Sequence, residues 1–364
     1  MKKNNVSKNH DSLSSFEKTV LLVCQCLCNE EAVSVLYFVE VFQQDPHDTN
    51  NAIESLALKR RIRAFDGIIY TVFDHNSQGI PVNQILVGLM SRLNECTHIG
   101  FYEDRLAVKP YFVMGYSLLN YVLKKSKSLE IDYKSFGQLS LNLAEHIDLW
   151  CSPQTTNNYR PESLPIVRAL NLTLRKISDG TIEACIHAQL ARIYSNGWHY
   201  EKAMKHLSIA EDFDKKIKGE ISGYTLASYG VYYWNFGQMA MSLKYFTMAA
   251  DSDEERAYSS LIIALILALY GEIKSCRQWI RSRLQWLCFF SKYHELYILN
   301  DMVQALLADD NDSAFKFINR AELTLVHMSH RECPLGGFFI TFNLNFGKDM
   351  DISAKALNVT RVMF

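Results

Sequence analysis

The sequence predicts a mainly α protein: an N-terminal unit of three helices and a β-hairpin, followed by an array of helical hairpins. Three observations carry this reading. Asp66-Gly67 sits between two alternating runs, Ile62/Ala64 and Ile68/Tyr70/Val72, which is the strongest short-range hairpin signal. No proline occurs between Pro165 and Pro334, so nothing in that span forbids unbroken helices. Within the same span a pattern of small and large residues recurs at constant spacing.

Composition sets the outer limits. A chain of 364 residues is long enough for two or three domains. Hydrophobic residues make up 48% and charged residues 21%, which is ordinary globular usage and excludes a wholly disordered or collagen-like chain. Lys and Arg number 38 against 39 Asp and Glu, so neither a uniformly basic nucleic-acid coat nor a polyacidic chain is expected. Met1 to Ser15 is polar and carries no signal-peptide pattern. The longest apolar run, Leu261 to Tyr270, is about half of the ~20 residues a membrane span requires. It reads as a helix buried on most sides. Nine cysteines at irregular spacing point to reduced thiols rather than a disulfide framework. These features together predict a cytoplasmic protein with no membrane partner.

The elements follow in order. Ser14-x-x-Glu17 forms a capping box ahead of Val20-Leu21-Leu22-Val23. A second helix is expected over Glu30 to Phe42, and a third from Asp48 or Thr49, with Ile53, Leu56 and Ala57 on one face. The Asp-Gly hairpin closes the unit. Pro81 to Asn94 reads as an amphipathic helix, and His98 to Val108 as a second short hairpin turning at Glu103-Asp104. Helices are expected at Tyr111–Lys124 and Tyr133–Trp150. The polar, turn-rich stretch from Cys151 to Pro165 marks a boundary. The resulting division is 1–75, a connector at 76–150 that is either helical or a second unit of the first kind, a helical array at 163–350, and a capping segment at 351–364.

Four stretches share one skeleton. Leu190-Ala191-x2-Tyr194 is followed by Ala203-x3-Leu207, and Tyr229-Gly230-x2-Tyr233 by Ser242-x3-Phe246. Ile263-Ala264-x2-Leu267 is followed by Cys276-x3-Ile280, and Asp301-Met302-x2-Ala305 by Ala314-x3-Ile318. From the Tyr194 position to the Ala203 position the gap is nine residues in every unit. Small residues let the two helices of a hairpin approach, and large ones fill the space between them. No unit buries its apolar face alone, so units stack.

This skeleton resembles the tetratricopeptide repeat, a helical hairpin of about 34 residues. The stretch AIESLALKRRIRAFDGIIYTV, following two helices, resembles a winged-helix domain. In sequence, the combination is similar to the regulatory half of STAND-type signalling ATPases, without their nucleotide domain. The resemblance implies a winged-helix-like domain followed by an α-solenoid of tetratricopeptide-like hairpins. It also implies a concave groove lined by the first helix of each hairpin, which would place Arg192, Asn196, Tyr224, Trp234, Asn235 and Tyr258 against a protein or peptide. Amides would hold a peptide backbone there, and aromatic rings would supply contact area.

The basic cluster Lys59, Arg60, Arg61 and Arg63 suits phosphates in a winged helix, with Asn50, Asn51 and Ser55 towards bases. Residues 1–75 nevertheless hold eight Lys/Arg against ten Asp/Glu, a poor balance for a DNA reader. DNA is therefore the second choice of partner, in a ligand-responsive regulator, and a protein or peptide the first. The sequence leaves the oligomeric state open. Cys24, Cys26 and Cys28 alternate and do not converge on one ion; His327, His330 and Cys333 lack a fourth ligand nearby. No metal and no cofactor is expected. The nucleotide, zinc-protease and serine-hydrolase signatures are missing from the sequence, so a non-enzymatic role is expected.

Overall fold

A computed structural model describes residues 13–28, 32–73, 80–102, 105–148, 161–252, 256–287 and 294–327. The chain is mainly helical, with one small three-stranded sheet. Helix α1 (Ser15–Leu27) opens on the expected capping box. The Ser14 hydroxyl accepts from the Glu17 amide at 3.1 Å, and the Ser14 amide donates to the Glu17 carboxylate at 2.6 Å. The helix is buried from Val20 to Leu27 and packs against α3, α5 and β3, whose ranges are given below.

Strand β1 (Val33–Ser34) leads into α2 (Val35–Phe42) and α3 (Pro46–Leu58). Asp45 caps α3, accepting from the Asp48 amide at 2.9 Å, and Pro46 occupies the first turn, where its missing N–H costs nothing. Strands β2 (Ile62–Phe65) and β3 (Ile68–Val72) form the Asp66-Gly67 hairpin. Both turn residues have positive φ, 53° and 71°, as the two-residue turn that matches strand twist requires. The sheet order is β1-β3-β2, antiparallel throughout. Val33, Ile62, Ile69 and Val72 are buried.

Two expectations are corrected here. The second helix begins at Val35, because Val33 and Ser34 pair with Ile69 and Ile68. The hairpin expected at His98 to Val108 is absent from the described residues. Helix α4 (Val82–Tyr102) runs through the first half of that segment, and α5 (Arg105–Lys125) begins within its second half. Leu86, Leu89, Met90 and Leu93 are buried at helical spacing. A helix already started there propagates at one hydrogen bond per residue, and a short alternating run does not stop it. Pro110 lies inside α5 rather than ahead of it.

Helix α6 (Tyr133–Asp148) packs on α4, α5 and α7 (Pro165–Leu174) and on the first helix of the array. One continuous core therefore runs from Val20 in α1 to Tyr232 in the array. The array consists of α8 (Gly180–Asn196) with α9 (Tyr200–Lys218), α10 (Gly223–Asn235) with α11 (Met239–Ala249), α12 (Arg256–Leu269) with α13 (Ile273–Leu287), and α14 (His294–Leu307) with α15 (Asn311–His327). Each pair packs internally; α8 packs on α10, α11 on α12, and α12 on α14. A second core joins α10 to α15. The apolar run from Leu261 to Leu269 is buried within it.

The pairs repeat in backbone detail. Trp198, Gly237 and Gly271 have positive φ, each four residues after the Tyr194, Tyr233 and Leu267 positions. The His199, Gln238 and Glu272 amides donate to the carbonyls of Tyr194, Tyr233 and Leu267 at 2.8, 2.8 and 2.9 Å. This is the left-handed helix end that satisfies the last carbonyls. Ser242 Oγ donates to the Gly230 carbonyl at 2.9 Å, and Cys276 Sγ to the Ala264 carbonyl at 3.2 Å, the same bond between the two small positions of successive pairs. No helix among the described residues is long and apolar enough to cross a membrane. His330, Cys333, residues 328–350 of the expected array and the expected cap at 351–364 lie outside the described residues, as do residues 151–160 of the expected boundary from Cys151 to Pro165.

Candidate functional site

The six residues expected on the first helices fall into two groups. Arg192 and Asn196 lie on α8; Tyr224, Trp234 and Asn235 lie on α10; Tyr258 lies on α12. Arg192 Nε donates to Ser228 Oγ at 2.7 Å and Nη2 to the Tyr224 carbonyl at 3.3 Å. Its guanidinium stands 4.2 Å from the Tyr224 ring centroid, a cation–π distance. The Tyr224 hydroxyl donates to the Gln189 side chain. At the C-terminal ends of α8 and α10, Asn235 Nδ2 donates to Asn196 Oδ1 at 2.8 Å and to Ser195 Oγ at 3.0 Å. The Tyr200 hydroxyl from α9 donates to the Asn235 carbonyl at 3.0 Å.

These contacts place Arg192 with Tyr224, and Asn196 with Asn235, as ties between the first helices of neighbouring pairs. All four side chains are half-buried. Trp234 and Tyr258 pack against the second core, and Tyr258 meets the Phe246 ring at 6.2 Å, edge on. The sequence reading missed Gln189, Ser195 and Ser228, the buried polar partners. Their signal was available: polar residues on otherwise apolar helices, one turn from the residues chosen.

Beside this cluster α8 and α9 hold a histidine pair. The Nδ1 atoms of His187 and His206 are 2.8 Å apart, so one ring donates and the other accepts. His206 stacks on Tyr194 at 5.4 Å and His187 on Phe213 at 6.1 Å. Burial pushes both down to about 4, with the neighbouring imidazole and Lys205 adding to the effect at His206.

The basic cluster of the N-terminal unit is divided. Ser55 Oγ and Lys59 Nζ donate to Glu17 Oε1 at 2.5 and 2.6 Å. Burial alone would raise the Glu17 carboxyl, but the Lys59 and Ser55 bonds, with the Ser14 amide, hold it down at about 2. Ser55 and Lys59 are thus drawn to α1 in this structure. A partly buried carboxylate needs these donors, and that need decides where they go. Arg60 takes a left-handed conformation, φ 56°, and Arg61 N donates to the Leu56 carbonyl at 2.9 Å, ending α3. Arg61 is half-buried, whereas Asn50, Asn51, Arg60 and Arg63 are exposed, as is Glu54 between them. Arg63 lies 5.8 Å from the Tyr70 ring centroid. The same unit exposes Leu58 at 84%, Phe65 at 76% and Phe73 at 59%.

Comparison with protein-family models, curated proteins and solved structures finds no match for this chain.

Proposed function

We propose that this chain is a non-enzymatic regulatory or adaptor protein that binds a protein or peptide along the first helices of tetratricopeptide-like repeats. The observation that carries the reading is the repetition in register. Three successive pairs share the left-handed turn residue and its hydrogen bond, and two share the bond between their small positions. The ties from Arg192 to Tyr224 and from Asn235 to Asn196 hold α8 and α10 side by side. A surface fixed before binding loses little conformational freedom when a partner arrives.

The N-terminal unit fits the same reading as a winged helix used for protein docking. Its element order, α1-β1-α2-α3-β2-β3, and sheet order, β1-β3-β2, support that assignment. Exposed Leu58, Phe65 and Phe73 favour an apolar partner surface over a phosphate backbone, and Glu17 removes Lys59 from the cations available to DNA. The DNA-binding regulator stands second, resting on exposed Asn50, Asn51, Arg60 and Arg63.

Selection of peptides from a random display library against the immobilised full chain tests the proposal. Enriched peptides should bind the Trp234→Ala/Tyr258→Ala variant weakly, compared at a temperature where circular dichroism shows parent and variant equally folded, because both rings also pack on the second core. Their affinity should depend little on salt. No enrichment, or equal affinity for the variant, would count against the repeat surface. Steeply salt-dependent duplex DNA binding, lost in Arg60→Glu/Arg63→Glu, would favour the second reading.

A further inference from the structure

A cleft of about 480 Å³ lies between α1, β3 and α5, away from the repeats. That volume is in the range of small-molecule sites, ~300–1,000 Å³. Lys124 and Lys125, from the last turn of α5, line it together with the Tyr121 ring, Tyr70 and Thr71 of β3, and the Gln25 amide of α1. Its described lining includes no Asp or Glu. Among the described residues neither lysine forms an ion pair. Lys125 Nζ stands 5.0 Å from the Tyr121 centroid, and the Arg63 guanidinium holds one face of the Tyr70 ring.

Charge matching elsewhere makes this cleft distinct. A second cleft, about 380 Å³ between α13, α14 and α15, also holds two arginines, but Asp309 and Asp310 share it, and Arg277 donates to Asp309 at 2.8 Å. There the chain supplies its own counter-charge. Among the described residues, the α1–β3–α5 cleft brings two cations and the exposed Tyr70 ring together without one. Ammonium groups favour an anion as counter-ion, and the flat faces of tyrosines favour a planar ring.

We propose that the α1–β3–α5 cleft binds a small organic anion carrying a planar ring, with the anionic group on Lys124 and Lys125 and the ring against Tyr70. Calorimetric titration of the full chain with adenosine 5′-monophosphate and with phenyl phosphate tests this; adenosine serves as ring without charge, and inorganic phosphate as charge without ring. Both ring-bearing anions should bind more tightly than either control. Lys124→Gln/Lys125→Gln should weaken them about tenfold, the size of a lost charge-assisted contact, and leave adenosine unchanged. Tyr70→Leu, at a partly exposed position where folding is not at stake, should weaken adenosine 5′-monophosphate and adenosine alike. Failure of both ring-bearing anions to bind at millimolar concentration overturns the proposal. So does affinity unchanged by the lysine pair, or inorganic phosphate binding as tightly as the ring-bearing anions. Preferential binding of duplex DNA, lost in the same lysine variant, would give the two cations to a phosphate backbone and overturn it too.

Discussion

Gly230→Ala probes the close approach of paired helices most sharply. Gly230 lies within α10, facing α11. A Cβ placed there would stand 2.9 Å from three ring atoms of Phe246, whereas carbon atoms prefer about 3.5–4.0 Å. The ring would have to retreat by roughly 0.6–1 Å, yet Phe246 is 1% exposed and packed in the second core. The backbone cannot easily withdraw instead, because the Gly230 carbonyl accepts from Ser242. Overpacking of this kind costs about 1–3 kcal/mol. Alanine recovers about 1 kcal/mol of helix propensity over glycine. The net expectation is a loss of about 1 kcal/mol, within the spread of those two effects. Phe246→Leu should cost about 1 kcal/mol alone but make room, so the double variant should be more stable than the two losses added, by about 1 kcal/mol. Native-state hydrogen exchange of the α10 and α11 amides reads these free energies locally. Stabilisation by Gly230→Ala, or strict additivity in the double variant, would refute the argument that this glycine is required by the Phe246 ring.

Three further expectations concern the polar groups. The Glu17 carboxyl is lowered from 4.5 to about 2 in the folded chain, so its contribution is present above the unfolded value and lost as pH falls from 4.5 towards 2. A denaturation series over that range should show an acid limb that Glu17→Gln flattens. His187 and His206 are lowered from 6.5 to about 4 by burial. Their contribution is therefore complete above 6.5 and declines as pH falls towards 4. Ring-proton NMR should find both neutral through the range where a solvent histidine titrates; titration there would contradict the packing. Asn235→Ala removes the donor to both Asn196 and Ser195 and should cost about 1–2 kcal/mol in thermal or urea denaturation, with Asn196→Ala costing less because the Ser195 bond survives.

Features set by neighbouring residues were legible in the sequence. Asp66-Gly67 announced its turn because both positions need positive φ, and Ser14 with Glu17 announced the start of α1. The nine-residue gap located the helix pairs, since approach of two helices constrains size at fixed spacing. Features set by distant partners were not. Val33-Ser34 has no strand pattern of its own and is extended only because β3 lies beside it. At His98 to Val108 a local hairpin pattern lost to helices whose apolar face begins at Leu86. In the candidate site, the resemblance put Arg192, Asn196, Tyr224 and Asn235 along one groove, but could not show that Arg192 meets Tyr224 or that Asn235 spends its amide on Asn196. Ser55 and Lys59 read as surface residues because Glu17, 38 and 42 positions away, gives no local sign of its burial.

On the proposed reading, a peptide partner docks along the first helices of the repeats. Hydrogen exchange of the full chain, with and without a library-selected peptide, should then show slowed exchange confined to α8, α10 and α12. Slowed exchange on α3 and the β2–β3 hairpin instead, with the three repeat helices unchanged, would contradict it.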